Sequence, residues 1–577
     1  MEKQPFKTIK KKKTKPITMP GAQAVIESLI QEGVKTIFGY PGGAIIPVYD
    51  ALYSYSKKLK HILVRHEQGA VHAAQGFSRV SGEVGVSLVT SGPGATNTVT
   101  GIADAMTDST PIVVVTGQVG SSLLGTDAFQ EIDIVSITKP ITKWNYQIKR
   151  AEDIPWAIAR AFYIAKTGRP GPVLLDITKD AQVTNLAYVY HKIKSIRSYT
   201  PVPKIDHEKI DEAARLINLA SKPLVVVGQG VILGRAEKEL LDFIEKTNIP
   251  TAWTILGLSA IPSNHYLNVG MVGMHGNFGP NIKTNEADLI IAIGMRFDDR
   301  VTANPQHYAT KAKIIHMEID PAEINKVIHT DVPVLGNVKE TIPLLTKKVN
   351  KNDHGTWLKE FHACAKIENK RLINKELYPA KPELTMGEVI SKVSSTYNDN
   401  AIMVTDVGQH QMMATRYFKF KQSRSVVTSG GLGTMGFGLP ASIGAKMGNP
   451  NRPVCLFVGD GGFQMTIQEL GTIFQEKTPV KIVLLNNNFL GMVRQWQELF
   501  FDFRYSSTKI KNPDFQTIAK GYNIPSTKVT KREKLDEAIN NMINTKGPFL
   551  LEVVMEKEEN VFPMVPAGAS VEDIRLE

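Results

Sequence analysis

Cysteine is almost missing: Cys364 and Cys455 are the two in 577 residues. That excludes a disulfide-stapled scaffold and a cysteine-built zinc site, and it suits plain thiols in a reducing compartment. Long hydrophobic runs are missing too. No apolar stretch reaches the roughly 18 residues that span a bilayer, so no membrane is expected as a partner. No short solenoid repeat is present. Positive charge is in excess but uneven. The net charge is +12, and residues 1–15 hold seven lysines against one glutamate. The remainder is too weakly basic for a nucleic-acid surface, so no nucleic acid is expected either. The lysine run reads as a solvated, disordered tail over 1–16. It lacks the apolar core of a signal peptide and the Arg/Ser richness of a transit peptide.

What is present is an ordinary globular balance, 42% hydrophobic and 21% charged. At about 150 residues per domain the length gives three or four domains. The pattern predicts α/β architecture: three successive doubly wound parallel-sheet domains. Residues 17–185 alternate strands such as Val84–Thr90, Pro111–Thr116 and Val173–Ile177 with helical stretches such as Glu67–Val80. Strands apolar on both faces argue for a sheet covered on both sides. A polar stretch, 186–205, ends in Pro201-Val-Pro203 and reads as a linker. A second α/β set occupies 206–345, with strands at Pro223–Val227, Leu289–Ile293 and Lys313–Met317. Residues 346–383 read as a charged, helical connector. A third set runs over 384–556, and 557–577 form a C-terminal tail.

The sharpest motif is Gly459-Asp460-Gly461-Gly462, after a buried strand and before a helix expected over about Thr466–Glu476. The next strand ends in Asn486-Asn487-Asn488. One strand–helix–strand unit separates the two, which puts Asp460 and Asn487 on neighbouring strand ends. A carboxylate plus an amide oxygen suits Mg2+, a hard ion that shares its shell with phosphate oxygens and water. Glycines let backbone N–H groups approach a phosphate.

In the first domain, Glu67 opens a helix after the strand ending near Arg65. Alone it is a first-turn carboxylate that complements the helix dipole. In the middle domain, Gly228, Gly230, Gly273-Met274-His275-Gly276, Gly294, Arg296, Asp298, Arg300 and Glu318-Ile319 follow or flank strands. Glycines beside strand ends fit a dinucleotide, and a later acid fits a ribose hydroxyl.

The GDG…NN pair resembles the signature of thiamine diphosphate (ThDP) enzymes. By that resemblance Asp460, Asn487 and the backbone carbonyl of Phe489 ligate Mg2+. Gly408, Gln409, His410, Gly461 and Gly462 lie against the diphosphate side. Gly433 and Met435, in Ser429-Gly-Gly-Leu-Gly-Thr-Met-Gly436, hold the aminopyrimidine. Glu67 hydrogen-bonds the pyrimidine ring from an apolar pocket and drives C2 deprotonation. In this class that glutamate reaches a cofactor held by a partner subunit, so a homodimer at least, or a tetramer, is implied.

Nearly the whole chain beyond residue 17 resembles the acetohydroxyacid synthase (acetolactate synthase) family, catalytic large subunit. Phe38-Gly-Tyr-Pro-Gly-Gly-Ala44 carries Gly43, and Thr90-Ser-Gly-Pro-Gly-Ala-Thr-Asn97 matches the second active-site loop. Thr126-Asp-Ala-Phe-Gln-Glu131 carries Phe129, which shapes the pocket, and Gln130, which contacts intermediates. Lys179 is a further site residue. Gly491-Met-Val-Arg-Gln-Trp496 is the most family-specific piece. It carries Met492, on the cofactor, and Trp496, against the ethyl group of 2-oxobutanoate. The middle-domain residues, with Arg169, then bind FAD as a structural, non-redox group, and Arg300 holds the second substrate's carboxylate. Asn337 stands where many members carry an acid.

The implied reaction decarboxylates pyruvate and joins the hydroxyethyl unit to a second pyruvate, giving 2-acetolactate, or to 2-oxobutanoate, giving 2-aceto-2-hydroxybutanoate. It opens branched-chain amino-acid synthesis. Rival readings are another ThDP-dependent decarboxylase or oxidase, or a non-catalytic nucleotide-binding regulatory subunit. The absent His-His dipeptide counts against the pyruvate decarboxylases. The resemblance also implies a small regulatory subunit as partner. The Lys/Asn/Ile-rich composition suits a plastid stroma or a bacterial cytoplasm.

Overall fold

The computed structural model describes residues 17–557 and 559–577; the lysine-rich tail expected over 1–16 lies outside the described residues. Three six-stranded parallel sheets follow one another along the chain. Inner strands such as Val173–Thr178 and Val480–Asn486 are buried at every position. A strand with no solvent face needs helices on both sides, and the crossover between parallel strands supplies them.

The first sheet runs in the order Lys60–Leu63, Thr36–Tyr40, Gly85–Val89, Ile112–Gln118, Val173–Thr178, Trp144–Ile148. The third repeats that topology: Val426–Val427, Ile402–Thr405, Val454–Gly459, Val480–Asn486, Phe549–Val554, Ser526–Val529. The middle sheet differs. Its order is Asn268–Met271, Thr251–Trp253, Pro223–Val227, Leu289–Ile293, Lys313–Glu318, Val332–Leu335. The first strand is central and the order reverses between it and Leu289–Ile293, the arrangement of dinucleotide-binding sheets. Val227 pairs with Ile293 across that switch point, so Gly228 and Gly294 follow side by side.

The outer domains share one core, from Phe38 and Val71 to Ile402 and Leu456. Their contact helices, Glu67–Ser81 and Gly438–Gly448, pack backbone to backbone. A Cβ on Gly76 would lie 2.0 Å from the Ala441 carbonyl oxygen, and one on Gly444 1.7 Å from that of Ala73. Only glycine permits this approach.

Four expectations need correction. The segment 186–205 is no free linker: Asn185–Tyr188 pairs antiparallel with Ile17–Pro20, and the Tyr199 hydroxyl donates to the Thr167 carbonyl at 2.7 Å. The helix after the GDGG turn starts at Asp460, not Thr466. It runs Asp460–Met465, tightens to a 3-10 turn at Ile467–Glu469, and resumes as Leu470–Glu476. Helix Val338–Lys348 crosses the boundary expected at 345. The C-terminal segment is docked rather than a tail: Val565 N–H donates to the Met274 carbonyl at 2.8 Å, and Met564 bridges Arg575. The connector is helical as expected, with Gly355–Glu368 at its centre. Among the described residues no helix is long and apolar enough to cross a membrane.

Candidate active site

Strands Ile402–Thr405, Val454–Gly459 and Val480–Asn486 are neighbours in register. The turns that follow them therefore meet at one sheet end, and Asp460 and Asn487 stand on adjacent strand ends. Both are buried, at 1% and 4% exposure. Burial pushes the Asp460 carboxyl above its usual range, a cost that a cation would offset. Among the described residues no cluster of three His, Cys, Asp or Glu side chains is arranged for a metal. The donors at Asp460 are one carboxylate and neutral oxygens, the chemistry of a Mg2+ that keeps phosphate and water in its shell.

Gly408, at φ +149°, turns the chain into helix Gln409–Tyr417. The first N–H groups of a helix have no intrahelical acceptor and attract anions. His410 is buried, its imidazole pushed down to about 3 by burial, and its Nε2 has no partner among the described residues. A diphosphate oxygen or a bound water would complete it. The Gln409 side chain is engaged within the chain: its Nε2 donates to Gln495 Oε1 at 3.0 Å and to the Glu559 carbonyl at 2.8 Å. Only its backbone is left for a phosphate. The GDGG glycines also have a packing cause. A Cβ on Gly462 would sit 2.2 Å from Asp406 Oδ1, and one on Gly461 2.7 Å from Leu490. Asp406, which motif reading missed, is fully buried and accepts N–H groups from Val407, Gly436 and Gly438 at 2.9, 3.1 and 2.8 Å. Its position one residue past a buried strand was the available signal.

The glycine loop 429–436 hangs from the first domain. Asp104 accepts from Ser429 Oγ and from Thr434 Oγ1, the latter at 3.1 Å. Beneath it, a cavity of about 820 Å³ opens between all three domains. Its walls include Arg169, Gly230, Gly273, Met274, His275, Gly294, Arg296, Asp298, Arg300, Glu318 and Ile319. The same walls include Gly408, Gly433, Met435, Met492 and Trp496. Gly228 and Gly276 do not line it. A Cβ on Gly228 would meet the Gly294 carbonyl oxygen at 2.3 Å, and one on Gly276 that of Met271 at 2.4 Å, so both serve close packing.

Glu318 ends its strand beside the switch point, and burial pushes its carboxyl up to about 7. Its Oε1 accepts the N–H groups of Ile319 and Asp320 at 2.8 and 3.2 Å. Arg169 reaches across from the first domain to Glu323 at 2.6 Å and Asp320 at 3.4 Å. Asp298 caps helix Asp299–Thr302 and pairs with Arg296 at 3.4 Å. His275 is held neutral, pushed down to about 4 by burial and the nearby Arg416, and its ring meets the Pro563 carbonyl at 3.3 Å. Arg300 is more open, with Asp299 at 3.6 Å. Asn337 caps helix Val338–Lys348 and also lines the cavity. Trp496 is half-buried against Phe500, ring centroids 5.1 Å apart.

The remaining expected residues lie elsewhere. Glu67, Gly43, Phe129, Gln130 and Lys179 are absent from the walls of that cavity. Glu67 begins its helix and is half-buried within one chain; its Oε2 accepts the Asn97 amide at 3.0 Å. Gln130 sits in a loop at φ +61°, and its backbone packs against Gly92. Phe129 is 88% exposed, so within one chain it shapes no pocket. Lys179 is exposed at the start of helix Lys179–Val183. Asp460, Asn487 and Phe489 do not line that cavity either.

Two outer domains of shared topology, a buried carboxylate–carboxamide pair at a glycine-rich strand end, and a dinucleotide-ordered sheet between them define a ThDP-dependent enzyme. Residues 19–137, 210–345 and 406–553 match, in turn, the N-terminal TPP binding, central and C-terminal TPP binding domains of the thiamine pyrophosphate enzymes. Within that class the chain belongs to the acetolactate synthase large-subunit family. It is 44% identical to the acetolactate synthase large subunit of Lactococcus lactis, over 95% of this chain and 94% of that protein. It is 46% identical to the Corynebacterium glutamicum large subunit, over 97% and 90%. It is 42% identical to the isozyme 2 large subunit of Escherichia coli, over 96% and 98%.

Proposed function

We propose that the chain condenses two 2-oxo acids: it decarboxylates pyruvate and joins the two-carbon unit to a second pyruvate, giving 2-acetolactate, or to 2-oxobutanoate, giving 2-aceto-2-hydroxybutanoate. The observation that carries this is the common cavity, where Met435, Met492 and Trp496 of the cofactor domain face the dinucleotide-ordered middle sheet. ThDP, when bound, supplies a nucleophilic carbon and an electron sink for the decarboxylation. Asp460, the Asn487 side chain and the Phe489 carbonyl would hold its Mg2+, and the helix start at Gly408–His410 would take the diphosphate. Glu318, Gly230 and Gly294, in the walls of the cavity, would hold FAD as a structural group, the carboxylate suiting a ribose hydroxyl and the glycines a pyrophosphate.

Glu67 would exchange a proton with the pyrimidine ring through the oxygen that Asn97 leaves free. Arg300 binds the carboxylate of the second 2-oxo acid by charge-assisted hydrogen bonds. Trp496 contacts its alkyl end, a preference limited to about 1–3 kcal/mol for one methylene. Glu67, Gly43, Phe129, Gln130 and Lys179 come from a second copy of the chain, so the active unit is at least a dimer. The relatives are named large subunits, and a small regulatory chain is the proposed further partner.

Product analysis tests the reading. Purified protein receives pyruvate, ThDP and Mg2+, with and without FAD. Acetolactate is expected, and only with all three cofactors. Acetaldehyde would replace the reading with a decarboxylase, and acetate with flavin reduction would replace it with an oxidase.

A further inference from the structure

Asn512 lies outside every motif singled out above, yet its side chain sits where the two ligand-bearing strand ends converge. Its Nδ2 is 2.6 Å from Asp460 Oδ2, 2.9 Å from Asn486 Oδ1 and 3.2 Å from Asn488 Oδ1. A carboxamide has two hydrogens for these three oxygens. The short, charge-assisted contact with the carboxylate is the strongest of them. The amide is oriented from its other side, because Gln464 Nε2 donates to Asn512 Oδ1 at 2.9 Å. Turned over, it would present its oxygen to the carboxylate.

The chain is routed to make this contact. After helix Gly491–Phe500 the segment returns along the turn it left: Leu490 N–H donates to the Thr508 carbonyl at 2.8 Å, and Ile510 N–H to the Asn488 carbonyl at 2.9 Å. Asn488 is itself held at φ +60°, its N–H on Asn486 Oδ1 at 3.1 Å. One side chain thus ties the Asp460 turn to the Asn486–Asn488 turn.

We propose that Asn512 is a positioning residue for the divalent cation: its NH2 group fixes the Asp460 carboxylate and the asparagine turn in the arrangement that receives the metal. This rests on the reading of Asp460 and Asn487 as cation ligands. Asn512 acts through them and needs no contact with substrate or cofactor. Partners of this kind typically change metal affinity by about 10–100-fold when removed.

The test uses the full chain with FAD and reads Mn2+ binding by the electron paramagnetic resonance of free Mn2+, at fixed ThDP. The variants are Asn512→Ala and Asn512→Leu, the second keeping the side-chain shape without its donor; Asp460→Ala is the control. The Mn2+ dissociation constant is expected to rise about 10–100-fold in both Asn512 variants. ThDP affinity should return to the wild-type value at saturating Mn2+, with the melting temperature of the cofactor-free chain unchanged. Wild-type Mn2+ affinity in both variants would overturn the proposal. So would a lowered melting temperature with ThDP binding that excess Mn2+ does not rescue, because that describes a purely structural residue. If the wild-type chain shows no ThDP-dependent Mn2+ binding, or Asp460→Ala leaves it intact, the ligand reading fails first and this proposal with it.

Discussion

Asp108 of the first domain accepts the backbone N–H of Gly431 of the third at 2.7 Å. Its other oxygen takes the Gly430 N–H at 2.9 Å and the Arg79 guanidinium at 2.5 Å. Arg79 and Asp108 are both buried. Removing one partner of a buried ion pair leaves an uncompensated charge, at a cost of about 3–5 kcal/mol. Asp108→Ala should lose about that much stability in urea unfolding. The double variant Arg79→Met/Asp108→Ala should recover part of it, because the unpaired guanidinium is gone while the buried Asp104, which Arg79 also steadies, loses that partner. Equal loss in the single and double variants would show that the glycine loop, not the charge, sets the cost.

Stability should fall as pH rises from about 4.5 to about 8. Burial pushes Glu376 up to about 7, and burial together with the nearby Glu376 charge pushes Glu559 up to about 8. Both values lie above those of the unfolded chain, so the folded state binds more protons between about 4.5 and 8. Their contribution is complete below the unfolded pKa and is lost as pH passes the folded values. Urea unfolding at pH 6 and pH 9 should show the decline, and Glu376→Gln with Glu559→Gln should flatten it. An unchanged slope in that double variant would assign the pH dependence to other groups.

FAD binding should tighten with pH on the acid side. Below about 7 the free chain carries a proton on Glu318. On the proposed reading a ribose hydroxyl would donate to the carboxylate, so binding would release that proton. The gain is up to about tenfold per pH unit below the pKa, by linkage. Flavin fluorescence titration between pH 6 and pH 8 measures it. Glu318→Gln should bind more weakly and without pH dependence.

The sheets were legible where strands are buried on both faces, because an unbroken apolar run such as Leu289–Ile293 has no other simple fate. The strands without such a signal are short or stand at sheet edges: Trp144–Ile148, Val332–Leu335, Val426–Val427 and Ser526–Val529 are partly exposed or only a few residues long. Asp460 and Asn487 were legible because spacing within one strand–helix–strand unit becomes adjacency in space. Asp406 and Asn512 were not. Their meaning lies in contacts with Gly436, Gly438 and Asp460, which local spacing does not encode. Gly228 and Gly276 looked like ligand-facing glycines, because a sequence does not separate close approach to a ligand from close approach to a neighbouring strand.

The central claim is that Glu67 of one copy works with Asp460 of another. It is tested by co-expressing Glu67→Gln and Asp460→Ala chains with different tags and purifying the mixed dimer. Each variant alone should form acetolactate at a small fraction of the wild-type rate: loss of the Glu67 proton-transfer group costs about 10²–10⁴-fold, and Asp460→Ala removes the carboxylate ligand of the proposed Mg2+. In the mixed dimer one site carries both substitutions and the other carries neither, so about half of the wild-type acetolactate rate is expected from two equal, independent sites. A mixed dimer as inactive as the two parents would contradict the account and place each active site within a single chain.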